Sequence, residues 1–206
     1  MATPSYTDNV SIISPTKVSQ GSTSRGTLNI QNKFGAYIFC RIGRLSSVAP
    51  AVGASVFVRR IGYTGSRDIP HAGALAQFQD STTAANTTSI SASISHPSGT
   101  CTLASGTGMG SNQYVVIVDS TTSPTTCEFH HTSKLASTVL TMDRNFANTS
   151  ISTGYFVLNQ ALVLPPIYVD GAPNTGDLEV VVDYGSETAT SPIIVEVFAQ
   201  TLDSIA

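Results

Sequence analysis

Apolar positions along this chain recur with a period of two over short stretches, and no useful length holds the 3.6-residue period of an amphipathic helix. The densest apolar stretch is 34–61, FGAYIFCRIGRLSSVAPAVGASVFVRRI, which reads as two strands joined by a loop. In its first half Ala36, Ile38, Cys40 and Ile42 share one face, and Tyr37, Phe39 and Arg41 share the other. In its second half Val56 and Val58 oppose Phe57 and Ile61. With both faces largely apolar, these strands are expected in a sheet covered on both sides or at a subunit contact, with Phe57 in the core. The connecting loop, 45–53, is less polar than most loops and suggests packing against a partner.

The cleanest alternation lies near the end of the chain. Leu178, Val180, Val182 and Tyr184 oppose Glu179, Val181 and Asp183, the pattern of a half-exposed antiparallel strand. Ile193, Val195, Val197 and Ala199 then share a face, so the two segments are expected to form a hairpin. Residues 27–31 add a strand, and 1–20 read as an extended arm, either frayed or laid across a neighbouring subunit. The proline-rich stretch after Ala161 is expected to run extended along the body.

Between these ends the texture changes to short strands separated by turn residues, at 101–103, 113–118, 127–132, 138–142 and 155–158, the spacing of a small antiparallel barrel. A weak strand at 89–95 and a crossover near 80–99 precede it, and 62–79 reads as a surface loop. The expected fold is all-β: an antiparallel, jelly-roll-like β-sandwich from 1–79 plus 161–206, with a small β-barrel-like domain inserted at 80–160. One continuous jelly-roll sandwich is the alternative.

Composition narrows the class. Only 11% of residues are charged while Ser and Thr make up about a quarter, a polar but weakly charged surface that suits extracellular or virion proteins. Net charge is −3, which provides no electrostatic drive towards nucleic acid. The apolar runs are too short for a membrane helix, and MATPSYTDNV lacks the features of a signal peptide, so a soluble protein is expected. Eight basic residues fall between Lys17 and Arg67, whereas acidic ones gather from Asp170 to Glu196, inviting pairing between the two ends of the chain. Cys40, Cys101 and Cys127 form no CxxC unit and are expected as reduced thiols.

Candidate chemistry is sparse. GTGMGS lacks the Lys-Ser/Thr ending of a phosphate-binding loop and reads as a turn. Arg67, Asp68 and His71 cluster in a loop with no second motif to complete a site. His130 and His131 point to opposite faces of a strand and cannot chelate one ion together. Glu128 shares a face with His130, and Cys127 with His131, but neither pair supplies three ligands. Asp119, Glu128 and Asp143 stand isolated, so paired-carboxylate hydrolysis has no sequence support. No catalytic residue, metal site or cofactor is expected.

Two segments carry a family resemblance. FGAYIFCRIGRLSSVAPAVGASVFVRR is similar to an xGAxxxxRIGR…VxVLIRR pattern in virion structural proteins of tailed bacteriophages. CEFHHTSKLASTVLTMDRNFANTSISTG resembles a phage pattern of a Glu-Phe strand, a turn, a Thr-Leu-Thr-hydrophobic-Asp strand and an aromatic-Ala pair, and EVFAQTLDS fits it too. His130, His131 and Asn148 depart from that pattern. The resemblance implies a non-enzymatic capsid decoration (cement) protein, trimeric, bound to the major capsid protein on the outside of the head. A tail or fibre component with a host-glycan-binding β domain is the alternative. Candidate subunit-interface residues are Tyr37, Phe39, Arg41, Arg44, Arg59 and Arg60, with Asp177, Glu179, Asp183 and Glu196 as acidic partners.

Overall fold

Period-two alternation becomes strand throughout. The computed structural model describes residues 4–19, 21–45, 54–60, 69–70, 76–78, 86–159, 161–170, 177–184 and 192–205. Among these there are sixteen strands and no helix. The first six are β1 (Pro4–Val18), β2 (Thr23–Leu28), β3 (Gly35–Arg44), β4 (Ala54–Arg60), β5 (Ile69–Pro70) and β6 (Ala76–Phe78). Then come β7 (Thr87–Ser89), β8 (Thr100–Thr102), β9 (Tyr114–Val118), β10 (Cys127–Ala136), β11 (Val139–Met142) and β12 (Phe156–Asn159). The chain ends with β13 (Leu162–Val163), β14 (Ile167–Asp170), β15 (Leu178–Tyr184) and β16 (Ile193–Ile205).

Two antiparallel sheets form a sandwich, one ordered β1-β16-β3-β13 with β14 also on β3, the other β2-β15-β4-β5 with β6 also on β4. Their inner faces meet in one core. Ile38, Cys40 and Ile42 of β3 and Val195, Val197 and Ala199 of β16 pack there with Val56, Val58, Val180, Val182 and Tyr184. At one side the layers close: a Cβ on Gly26 of β2 would collide with the Ile12 carbonyl of β1, so glycine permits the two backbones to touch.

The intervening segment forms its own sheet, β7-β12-β9-β10-β11-β8, which curls until a bridge between Ile90 and Leu103 joins its two ends. Its interior holds Cys101, Val115, Ile117, Leu140, Phe146, Ile151 and Val157. On its outside, Val116, Val118, Phe129 and Leu158 pack against Leu45, Ala161 and Ile194. β9 is therefore buried on both faces, which is why Val115–Val118 is an unbroken apolar run. Gly43 makes the contact close, since a Cβ there would lie 2.8 Å from Val116 Cγ1. Lys17 adds a polar tie, donating from Nζ to the Thr122 carbonyl oxygen at 2.8 Å.

Several expectations change. β15 and β16 form no hairpin: β15 pairs with β2 and β4, and β16 with β1 and β3. Side by side they would leave both apolar faces in one layer; opposed across the sandwich, each buries the other. The same holds for β3 and β4, the two strands of 34–61. Phe57 is 38% exposed, because Val56 and Val58 take the inward positions and leave Phe57 on the outer face of β4. The N-terminal segment is no free arm, since β1 pairs along β16 of its own chain through four register shifts. The strand expected at 27–31 ends at Leu28, and that expected at 89–95 is Thr87–Ser89. Residues 46–53 and the cluster Arg67, Asp68 and His71 lie outside the described residues.

Candidate functional site: an aromatic face and the groove beside it

Because Ile38, Cys40 and Ile42 point inward, Tyr37, Phe39 and Arg41 must point out, and antiparallel register places Gln200, Phe198 and Glu196 directly opposite them. β14 adds Tyr168 opposite Tyr37. The result is a ladder of rings: Tyr37 and Tyr168 have centroids 5.0 Å apart, and Phe39 stacks on Phe198 at 5.1 Å. The Arg41 guanidinium lies 4.6 Å from the Phe198 centroid and bonds Glu196 at 3.2 Å. Tyr168 leans over Gly35, where a Cβ would meet its hydroxyl at 2.7 Å. Tyr6, Tyr37 and Tyr168 are all exposed, as is neighbouring Phe34.

Further along the same face the barrel covers the sheet, and the two bodies diverge from their contact. On the barrel, successive cross-strand pairs are Val118–Cys127, Val116–Phe129 and Tyr114–His131. The first two are covered, and the third emerges opposite Arg41. A groove of about 210 Å³ opens there, lined by Arg41, Tyr114, Phe129, His130, His131, Asp143 and Arg144. Its walls are held in place. His131 Nε2 lies 3.1 Å from Asn112 Oδ1, its ring sits 4.8 Å from that of Tyr114, and Arg144 Nη2 donates to the Phe129 carbonyl oxygen at 2.7 Å.

Charge is arranged around buried carboxylates. Burial alone would raise the Glu128 carboxyl, but the close approach of His130 and hydrogen bonds from the backbone N–H groups of Ala147 (2.8 Å) and Asn148 (3.0 Å) bring it below its ordinary value. His130 Nε2 approaches Glu128 Oε1 at 2.8 Å, too obliquely for a well-formed hydrogen bond, and His130 Nδ1 has no partner among the described residues. Glu196 moves the other way: burial raises it more than Arg41 and Arg144 lower it, and the charge of Glu128 adds to the rise. Burial pushes the thiols of Cys40, Cys101 and Cys127 up to about 12, and none is in a disulfide.

The candidate interface residues do not gather in one place. Tyr37, Phe39, Arg41 and Glu196 share the outer face of β3 and β16. Arg44 is buried opposite Ile193, which removes it from any outer surface. Glu179 accepts from Arg25 at 3.4 Å on the other sheet, where the backbone of Arg59 lies opposite it. Asp183 lies opposite Ser55 and Thr23, with Asp177 just before β15, both partly buried. The side chains of Arg59 and Arg60 lie outside the described residues. The basic early residues and acidic late residues thus pair inside the chain, as Arg25–Glu179, Arg41–Glu196 and Lys33–Asp203.

The sequence alone does not single out Tyr114 or Arg144, and it presents His131 only as a metal ligand and Asp143 only as an isolated carboxylate. One signal was available: the two-sided apolar run of β9 stops at Tyr114, marking where its cover ends. Asp119 is held in a turn by Thr125, Glu128 accepts backbone amides and Asp143 lines the groove, each on a different element. Among the described residues, no group of three His, Cys, Asp or Glu side chains could hold a metal ion. No family model, curated protein or solved structure matches the chain.

Proposed function

We propose that this chain is a non-enzymatic virion structural protein, a decoration protein that binds the outer surface of a phage capsid and stabilises it by bridging copies of the major capsid protein as a trimer. The observation that supports the reading best is the ring ladder on the outer face of the first sheet. Exposed Tyr37 and Tyr168 lie beside the stacked Phe39–Phe198 pair, bordered by Arg41–Glu196, with exposed Tyr6 opposite Leu202 at the end of the same sheet. Contiguous exposed apolar surface with a polar rim marks interaction sites, and tyrosines are frequent anchors of protein interfaces. The antiparallel ladder of β16, β3 and β14 fixes the backbone under that face, which lowers the ordering cost of binding. The phage resemblance supplies the identity of the partner.

Cryo-electron microscopy of the purified particle tests the reading. Density for the sandwich on the outer head surface, with Tyr37 and Tyr168 against the capsid protein, is the expected result. Finding the protein at the tail tip, or missing from the virion, rejects it. In solution, Tyr37→Ser with Tyr168→Ser should weaken binding to undecorated heads at least about tenfold while leaving the melting temperature unchanged.

A further inference from the structure

The geometry points to a second site, beside the proposed capsid contact and sharing only Arg41 with it: we propose that the groove between barrel and sandwich binds a neutral saccharide, one ring seated on Tyr114. Tyr114 is 44% exposed and its ring is braced by His131, so it offers a fixed platform. The electron-rich face of an aromatic ring attracts the C–H groups on the apolar face of a sugar, while the sugar's hydroxyls need donors and acceptors at the edge. Arg144 and Arg41 provide donors, Asp143 provides an acceptor and His131 provides a ring nitrogen, all lining one groove. At about 210 Å³ the groove is below the ~300–1,000 Å³ of drug-sized sites, which suits a single ring.

Charge decides the class of ligand. The two guanidiniums of Arg41 and Arg144 face three carboxylates, Asp143 in the groove with Glu196 and Glu128 behind it, so two positive charges against three negative leave −1. That balance does not favour an anion, and a sialylated or phosphorylated ligand would meet Asp143. Arg41 is already paired with Glu196 and stacked on Phe198, and Arg144 is fixed to the Phe129 carbonyl oxygen. Their remaining N–H groups are therefore positioned before the ligand arrives, which reduces the ordering cost of a weak, polar ligand. Of the lining residues Phe129 and His130 are buried, so the inner wall combines a ring face with imidazole nitrogens, while Tyr114, Asp143 and Arg144 stand exposed at the rim.

The test uses the whole chain on a glycan array, followed by saturation-transfer NMR with maltotriose, cellotriose, chitotriose and N-acetyllactosamine, and with sialyllactose as the charged probe. At least one neutral glycan should bind, at about millimolar affinity for a single ring. Tyr114→Ala and Asp143→Asn should each lower that affinity about tenfold or more with unchanged melting temperature, since both side chains are at the surface. The proposal is overturned if no neutral glycan binds, if both variants bind as the parent does, or if sialyllactose alone binds. Failure to bind capsids would leave this result untouched, because the capsid reading rests on Tyr37 and Tyr168.

Discussion

Gly43→Ala probes the contact that creates the groove. Gly43 sits in β3, where alanine is ordinarily the better strand residue by about 0.5–1 kcal/mol, so an unhindered site would gain stability. Here the added Cβ would lie 2.8 Å from Val116 Cγ1, 3.0 Å from Val116 Cβ and 3.3 Å from Phe129 Cε1. Ordinary carbon contacts are about 3.5–4.0 Å, so barrel and sandwich would have to separate by more than half an ångström, or strain in place. Separation would expose a cluster that includes Leu45, Val116, Val118, Phe129, Leu158 and Ile194, each worth about 1.5–3 kcal/mol when buried. That exceeds the ~1–3 kcal/mol typical of overpacking, so the contact stays shut and the variant carries the strain. The expected loss is about 1–3 kcal/mol, a fall in melting temperature of about 2–12 °C for a chain of this length. Differential scanning calorimetry measures it, and Val116→Ala in the same chain should relieve part of it, a coupling of about 0.5–3 kcal/mol. A Gly43→Ala variant as stable as the parent, or more so, would refute the packing of barrel on sandwich at this point.

Phe57→Ala should cost well under the ~3–5 kcal/mol of a buried phenylalanine, because Phe57 is 38% exposed on the outer face of β4, opposite Val181; urea unfolding would show it. Hydrogen bonds from Lys33, Thr7 and Thr201 lower the Asp203 carboxyl from 3.8 to about 2. A depressed carboxyl stabilises the fold fully above its unfolded value, and that stability drains away as pH falls from 3.8 towards 2. Asp203→Asn should therefore be less stable than the parent at pH 7 and show a flatter acid-unfolding profile below pH 4. Glu128→Ala removes the acceptor of the Ala147 and Asn148 amides and should lower stability by about 1–3 kcal/mol in thermal melts.

Alternation in the sequence determined which residues face a core: Leu178, Val180 and Val182, and Ile193, Val195 and Val197, all turn inward as their spacing requires. It also separated the middle segment, whose short strands assemble into one curled sheet. Alternation cannot name a strand's neighbour, because the ladder is made of backbone N–H and C=O groups that are the same at every residue. For that reason the hairpin expected from β15 and β16 is not formed, and β1 is not a free arm but pairs along β16. Opposite charge at the two ends of the chain was legible, but which residues pair, Arg41 with Glu196 among them, depends on the register of β3 and β16. The groove was not. It exists only because Gly43 lets the barrel approach and because β9 outruns its cover at Tyr114, so residues 41, 114, 131, 143 and 144 meet across two bodies. Sequence set the faces of the strands; tertiary packing decided which faces were covered, and the rings left uncovered are where binding is proposed.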